Sequence, residues 1–212
     1  MVAETARRLI GLTVGDRPEA WRSLGFTVEG DRFTVGGVTI HLVGDDGPRG
    51  LLAWSMDPPV GEDVDGLASR PAPTPVPVVA HPNGVTAVDH VVAGTPDVDR
   101  TLAALAGIDL HPRRRVDGIR GGDRTYAFLL LGTCVLEVIG PRAHDPTRTP
   151  APAAFVGLAF VADDLDDVIA LPGVAGEPRD AVQPGRRIVT LRSHDHDVSV
   201  PVAVLTPRRP TR

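Results

Sequence analysis

Two short apolar stretches decide how this chain folds, Val88-Asp89-His90-Val91-Val92 and Leu136-Glu137-Val138-Ile139-Gly140. In each stretch one polar residue, His90 or Glu137, is embedded among the aliphatic residues that are typical of buried strands. A neutral imidazole and a carboxylate are both ligands that divalent metal ions accept. The pair therefore predicts two strands and half of a candidate metal site.

The residues around the two stretches predict the unit to which both belong. The strand from Val85 to Ala93 precedes Thr95-Pro96-Asp97, where Thr95 is a good helix cap and Pro96 suits the first helical turn. Apolar residues at helical spacing continue to Gly107, a typical helix end. Three more strands are predicted over 108–116, 125–131 and 133–139. The order of the unit is βαβββ.

The same order is predicted again on both sides of this middle block of residues 84–141. Residues 8–57 predict a shorter copy, in which Asp16 and Glu19 form a capping-box pattern and residues 26–29 form the first of three short strands. Residues 153–207 predict a third copy, so three copies of one unit are the simplest interpretation. Proline-rich stretches over 70–77 and 141–152 separate the blocks, since proline favours an extended chain.

This repeated order, with a histidine on the first strand and a glutamate on the last, resembles the vicinal oxygen chelate superfamily. That group includes the glyoxalases, the bleomycin-resistance proteins and the extradiol dioxygenases such as dihydroxybiphenyl dioxygenase, and the likeness is closest to its glyoxalase-like members. It is best over residues 84–207, where residues 96–99 have a counterpart in residues 163–166. The resemblance implies an α+β fold in which paired βαβββ units form half-open barrels of mixed sheet around a ligand.

The resemblance also implies that the first and last strands of each unit carry the metal ligands. Aligning the units puts Gly157 where His90 stands and Ala203 where Glu137 stands, so the third unit supplies no ligand. In the first unit the same positions are taken by Gly11 and His41. A divalent metal held by His90 and Glu137 alone would bind weakly. The cofactor we predict is therefore a weakly held divalent metal or none.

Two other interpretations of the His90 and Glu137 pair stay open. They can be hydrogen-bonded core residues, with Glu137 paired to an arginine such as Arg124. Alternatively, Glu137 is a general base whose pKa is raised by its apolar neighbours, in a cavity that works without metal. The stretch His194-Asp195-His196-Asp197 has the composition of a metal cluster, but it is predicted on a hairpin tip, where such side chains are usually solvated.

Other polar residues are candidates for the ligand-binding surface. Strand alternation places Arg124, Tyr126 and Phe128 on one face. The turn that contains Gln183 leads into Arg186-Arg187, so one of these arginines points inward, toward an anionic ligand or toward a carboxylate such as Asp89 or Glu137. The predicted ligand-binding residues are His90, Arg124, Tyr126, Phe128, Gln183 and Arg186.

Four segments follow from these patterns. They are a degenerate unit with a truncated partner (1–69), a proline-rich linker (70–83), the paired glyoxalase-like domain (84–207) and a basic tail (208–212). A single unit exposes one face and one edge of its sheet, so the first unit must pack on residues 51–80, on the paired domain or on a second chain. We therefore expect a homodimer.

Composition excludes several classes of function. The 212 residues carry a formal charge of −5, and the run Arg113-Arg114-Arg115 is predicted as solvated surface, so no nucleic-acid partner is expected. No apolar run approaches the roughly 18 residues of a membrane helix, so no membrane partner is expected. The single Cys134 lies within an apolar strand and no signal-peptide pattern opens the chain, which together predict a cytoplasmic location.

Two functions are consistent with these observations. The first is a glyoxalase-like enzyme, a lyase or isomerase, that acts on a small oxygenated metabolite with Glu137 as its catalytic residue and His90 and Glu137 as metal ligands. The second is a metal-independent protein that binds small molecules without catalysis, of the drug-sequestering kind. No phosphate loop, nucleophile elbow or CxxC motif points to another class.

Overall fold

An eight-stranded mixed sheet forms the larger part of the fold. The computed structural model describes residues 7–143 and 151–208, apart from the side chain of Arg120. The strands of the sheet are β7 (Val85–Gly94), β8 (Pro112–Asp117), β9 (Arg124–Leu131), β10 (Cys134–Pro141), β11 (Ala154–Ala162), β12 (Arg179–Asp180), β13 (Arg187–Thr190) and β14 (Val202–Leu205). Their order in space is β12-β13-β14-β11-β7-β10-β9-β8. Helices α2 (Val98–Ala106) and α3 (Asp166–Ala170) follow β7 and β11.

The sheet consists of two similar halves joined at its centre. In one half β7 pairs in parallel with β10, and β9 and β8 continue outward in antiparallel pairing. In the other half β11 pairs in parallel with β14, followed by β13 and β12. The two first strands, β7 and β11, meet antiparallel. The predicted α+β fold of paired βαβββ units is confirmed.

The register across the centre relates the two halves by a pseudo-twofold axis. His90 pairs with Ala159 and Val92 pairs with Gly157, so exchanging the halves places Gly157 at the position of His90. Val92 also pairs with Glu137 on β10, and Ala159 pairs with Ala203 on β14. The register therefore confirms that Gly157 and Ala203 stand where the first half has His90 and Glu137.

Each central strand has a β-bulge at the equivalent position. On β7 the paired residues step from Val88 to His90 and leave Asp89 as the extra residue, and on β11 they step from Phe155 to Gly157 and leave Val156. A bulge breaks the alternation of side chains between faces and re-aims them. The side chain of Asp89 consequently reaches the same face as that of His90.

The N-terminal unit forms a second, four-stranded sheet. Its strands are β1 (Arg8–Val14), β2 (Arg32–Val35), β3 (Val38–Leu42) and β4 (Leu51–Asp57), and helix α1 (Pro18–Ser23) follows β1. The order β2-β3-β1-β4 has β1 parallel to β3 and antiparallel to β4. A hairpin of β5 (Asp63–Val64) and β6 (Leu67–Ala68) completes the unit.

Three local predictions for helix caps and strands are wrong. Residues 26–29 make one isolated bridge, Glu29 to Arg32, because the N–H of Phe26 donates to Trp21 and that of Thr27 donates to His81. Helix α2 is capped by Asp97, whose carboxylate accepts from the N–H of Arg100, instead of by Thr95.

The third error concerns Asp16, which is not the cap of α1 because Arg17 occupies the N-cap position. The carboxylate of Asp16 is fully buried and accepts hydrogen bonds from the indole of Trp21 at 3.0 Å and from the hydroxyl of Ser199 at 2.6 Å. Asp16 thus links the first unit to the third through hydrogen bonds.

None of the helices among the described residues combines the length and the apolar character that crossing a membrane requires.

Aromatic packing joins the N-terminal unit to the paired domain within one chain. The fully buried Trp21 lies 6.4 Å from Phe160 on β11, measured between ring centroids, and Phe26 lies 5.1 Å from the same ring. One hydrophobic core therefore includes residues of all three units. The first unit therefore packs on the paired domain of its own chain. The need for a packing partner no longer argues for a homodimer, which stays a prediction.

The proline-rich segment covers one face of the N-terminal sheet. The hydroxyl of Ser55 donates to the carbonyl of Pro71, and the hydroxyl of Thr34 donates to that of Val76, at 3.2 and 3.1 Å. The ring of Pro73 lies against Gly11, where an added Cβ would be 2.6 Å from the proline Cδ. Gly11 has the position in β1 that His90 has in β7, so this segment fills the face that is concave in the paired domain.

We predict that Gly11→Ala destabilises the protein, because the new methyl group would overlap Pro73 and force the segment off the sheet. The expected loss in the free energy of unfolding is about 1–3 kcal/mol, measured by urea denaturation. Gly61→Ala is the control, since open space surrounds Gly61. Equal stability of the two variants would contradict this packing.

Candidate functional site

The bulge on β7 places an aspartate and a histidine side by side at the base of a cavity. Asp89 Oδ2 lies 2.7 Å from His90 Nδ1. On the next strand, Glu137 Oε2 lies 3.7 Å from His90 Nε2, which is beyond hydrogen-bond distance. The structure thus brings together the two residues singled out in the sequence, and it adds Asp89 as a third.

Arg186 holds the aspartate from the other half of the sheet. Its Nη2 donates to Asp89 Oδ1 at 2.6 Å, its Nε donates to the carbonyl of Thr206 at 2.7 Å, and its Nη1 donates to the side-chain oxygen of Gln183. The residue is 2% exposed. Arg186 was predicted to bind the ligand, but each of its three nitrogens is engaged within the protein. It is the inward arginine, paired with Asp89.

These contacts fix the charges at the site. Burial disfavours the charged form of Asp89, but the hydrogen bonds from His90 and Arg186 outweigh burial and lower its pKa to about 2. A carboxylate only accepts hydrogen bonds, so Asp89 holds the proton of His90 on Nδ1. In the neutral ring, Nε2 is then the acceptor nitrogen on the side of Glu137.

Glu137 has the opposite electrostatic environment. Burial raises its pKa, the nearby His90 opposes that rise, and the negative charge of Asp89 adds to it. No arginine pairs with Glu137 among the described residues. A carboxylate with a raised pKa is a stronger base than an exposed glutamate, which makes Glu137 a candidate for proton transfer.

A cavity of about 610 Å³ opens above the cluster formed by Asp89, His90, Glu137 and Arg186, and His90 and Glu137 line it. Its floor is the sheet face that carries His90, Tyr126, Phe128 and Glu137, and the hairpin of β12 and β13 forms one wall. The remaining lining residues are Arg114, Val116, Ile119, Arg179, Asp180, Ala181, Val182, Gln183, Pro184, Ile188 and Leu205.

Four of the six predicted ligand-binding residues, His90, Tyr126, Phe128 and Gln183, line this cavity. Arg124 lies outside its lining and is exposed at the end of β9, opposite Pro141. Phe128 pairs with Glu137, and Arg124 lies four positions before Phe128, roughly 13 Å along the strand. Sharing a face is therefore not enough to bring Arg124 to the site.

A smaller cavity of about 230 Å³ lies on the second half of the sheet. It adjoins His90, which lines both cavities, and it includes Gly157 and Ala203. Apart from His90 and Thr190, its lining is apolar or glycine. The positions that carry His90 and Glu137 in the first half are therefore taken in the second half by small residues that leave open volume.

Several solved structures are similar to this chain. Methylmalonyl-CoA epimerase from Mycobacterium tuberculosis matches with 18% identity over 60% of this chain and 91% of that protein, at a TM-score of 0.47. Methylmalonyl-CoA epimerase from Streptomyces coelicolor matches with 20% identity over 60% and 99%, at 0.45. A hypothetical protein from Bacillus halodurans matches with 14% identity over 59% and 96%, at 0.45. No protein-family model and no curated protein sequence matches the chain.

These identities and TM-scores are low, so the assignment rests on the strand order, the register and the paired bulges of the chain itself. Two βαβββ units share one sheet around a pseudo-twofold axis. The paired domain has the vicinal oxygen chelate fold. Its likeness to the epimerases concerns the fold alone.

The resemblance to vicinal oxygen chelate proteins implied a divalent metal, and the residues here do not fit a complete centre. His90 Nε2 and Glu137 are two donors, Asp89 is engaged by His90 and Arg186, and Gly157 and Ala203 offer no side-chain donor. Within residues 7–143 and 151–208, no group of three or more His, Cys, Asp or Glu is placed to hold a metal ion. We therefore derive no chemical step through a metal.

The stretch 194–197 makes contacts between units. His196 Nδ1 lies 2.8 Å from the hydroxyl of Ser23, and Asp197 Oδ1 lies 3.2 Å from a guanidinium nitrogen of Arg49. Both contacts reach from the third unit to the N-terminal unit.

Three residues that line the larger cavity or contact His90 were not predicted as site residues from the sequence. Asp89 was predicted only as one of two candidate carboxylates for an inward arginine, and not as a neighbour of His90. Arg114 was predicted as solvated surface and is indeed exposed, but it also lines the larger cavity. Arg179, which was not singled out, lines the same cavity. The sequence signal for Asp89 is its position inside an apolar strand.

We predict that Asp89 contributes stability that is lost in acid. Its folded-state pKa of about 2 lies below the ordinary 3.8, so its contribution is complete above pH 4 and disappears as the pH falls through 2. Asn cannot titrate, so the difference in unfolding free energy between the parent and Asp89→Asn should shrink by about 2 kcal/mol between pH 5 and pH 2. Urea denaturation at each pH measures it.

Asp123→Asn is the control, because it removes an exposed carboxylate and so reproduces the change in net charge. If the difference in unfolding free energy from the parent shrinks equally in both variants, net charge, and not the contact with His90 and Arg186, causes the effect.

Proposed function

We propose that the larger cavity binds a small oxygenated metabolite and that Glu137 transfers a proton to and from it, as a lyase or isomerase does. The observation that carries this proposal is the position of Glu137, a partly buried carboxylate on the cavity floor whose pKa is raised by burial. The imidazole of His90, positioned by Asp89, lies 3.7 Å away. A base of this kind can remove a proton from carbon next to a carbonyl group.

The cluster supports a division of roles. Glu137 takes the proton from carbon, and its apolar surroundings make its carboxylate a stronger base than in water. His90 faces the same space with Nε2 and can accept a proton from a substrate hydroxyl. Asp89 and Arg186 do not touch the substrate; they position the imidazole, and Asp89 stabilises the imidazolium that would form.

A second function, ligand binding without catalysis, is supported by a different observation. Gly157 and Ala203 replace ionisable positions with space, and the smaller cavity extends the binding surface beyond His90. A protein that sequesters an apolar molecule would use this added volume. Binding alone does not require a carboxylate with a raised pKa in the cavity. We therefore favour proton transfer over binding without catalysis.

We predict that the protein exchanges carbon-bound hydrogen for deuterium in small carbonyl compounds, and that Glu137→Gln slows this exchange by about 10²–10⁴-fold. The panel is pyruvate, 2-oxobutyrate and dihydroxyacetone in D₂O, followed by ¹H NMR. Since the carboxylate form is the base, exchange should rise with pH through the raised pKa of Glu137.

Glu177→Gln is the matched control, because Glu177 is exposed and lies outside both cavities. Exchange that is equally fast in the parent and in Glu137→Gln would refute the role of the base. Absence of exchange from the whole panel, together with a ligand-induced rise in thermal midpoint, would favour the binding function.

We also predict that divalent metal ions change neither stability nor exchange. With two donors on the protein, Zn²⁺ or Mn²⁺ should leave the thermal midpoint within about 1 °C of that in EDTA, since weak binding stabilises little at micromolar metal. Differential scanning fluorimetry with each ion measures this. A midpoint that rises with one metal, and does so less in Glu137→Gln, would establish a metal site instead.

The partner that we propose is accordingly a small molecule. A homodimer, a cytoplasmic location and the absence of nucleic-acid partners stay predictions from the sequence. Size-exclusion chromatography with light scattering measures the first of these directly.

A further inference from the structure

Two arginines reach the larger cavity from the opposite edges of the eight-stranded sheet. Arg114 lies on β8 and Arg179 on β12, which are the first and the last strand in the spatial order. Both side chains line the same cavity. The curvature of the sheet therefore brings its two edges to one opening, with a cation on each side.

Neither arginine has a carboxylate partner in the part of the chain that the structure describes. Their cross-strand neighbours are apolar, Phe128 for Arg114 and Ile188 for Arg179. Other arginines nearby differ in this respect, since Arg115 lies 2.5 Å from Asp99.

One acidic residue, Asp180, lines the cavity beside Arg179. It pairs across the hairpin with Arg187, which lies outside the cavity lining. Its negative charge thus has a neighbouring arginine on β13. The rim of the cavity, formed by Arg114, Arg179 and Asp180, therefore carries two positive charges and one negative charge. On the cavity floor, burial favours the neutral form of Glu137.

We infer that Arg114 and Arg179 bind an oxyanion group of the ligand, a carboxylate or a phosphate, and so select anionic metabolites. Guanidinium groups bind both oxyanions through paired N–H donors. Both arginines are exposed at the cavity opening, so their guanidinium groups are accessible to a ligand that enters from solvent. The inference rests on the proposed function, because it names the substrate class of the cavity in which Glu137 acts.

The geometry also separates binding from chemistry. The arginines lie on the outermost strands, whereas His90 and Glu137 lie on two adjacent central strands. A ligand held at the rim by its anionic group would extend its remaining carbons toward the floor. Arg114 and Arg179 are therefore specificity-determining residues, and their substitution should weaken binding more than it slows proton transfer.

Isothermal titration calorimetry on the full chain tests the inference with three probes. Succinate carries two carboxylates, succinamide has the same skeleton without charge, and inorganic phosphate represents the other oxyanion. We expect succinate or phosphate to bind and succinamide not to bind. Arg114→Gln and Arg179→Gln should each weaken anion binding by about tenfold.

Arg113→Gln and Arg192→Gln are the charge-matched controls, because both residues are exposed and outside the cavity lining. They should leave the affinity within about twofold. Binding of succinate alone identifies a carboxylate ligand, and binding of phosphate alone identifies a phosphorylated one.

Three results would overturn the inference: no binding of either anion, equal binding of succinate and succinamide, or equal losses in the controls and in the two rim variants. The outcome is separate from that of the proposed catalysis. Arginine-dependent anion binding without any effect of Glu137→Gln on exchange would refute only the role of Glu137. Loss of exchange in Glu137→Gln with arginine-independent binding would refute only the inference drawn from the rim.

Discussion

The site depends on one buried ion pair, Arg186 with Asp89. Removing both charges from water has a large cost, and it is offset here because hydrogen bonds engage both oxygens of the carboxylate and three nitrogens of the guanidinium. The pair joins β7 of one unit to the β12–β13 hairpin of the other. It thereby fixes the bulge, the tautomer of His90 and the wall of the cavity. Loss of either partner alone would leave a buried charge, which typically costs about 3–5 kcal/mol.

Much of the architecture could be predicted from the sequence, because periodicity and glycine punctuation report local structure directly. The same alignment that identified the repeat located Gly157 and Ala203 correctly. The cluster was less accessible. A β-bulge leaves no signature in the sequence of a single strand, so the contact between the side chains of Asp89 and His90 was not predicted. The sequence predicted an inward arginine at Arg186-Arg187, with Asp89 and Glu137 as its candidate carboxylates. Asp89 lies 97 residues from Arg186, so the choice between the two carboxylates depends on the tertiary fold.

Competition between caps and tertiary contacts explains the remaining differences. Aspartate is a favourable capping residue, but Asp16 is buried beside Trp21 and Ser199, which give its carboxylate stronger hydrogen-bond partners than a helix end would.

Arg114 stands in a run of three arginines and was predicted as solvated on composition alone. Only the curvature of the sheet, a property of the whole domain, decides that this side chain reaches the cavity.

The proline-rich segment has a consequence for stoichiometry. The chain contains two sheets built on the same plan, and each could in principle offer a concave face to a small molecule. On the N-terminal sheet, Pro73 lies against Gly11 and the segment is anchored through Ser55 and Thr34. A covalently attached occupant is present at high effective concentration and excludes a diffusing competitor. Each chain should therefore take up a single ligand.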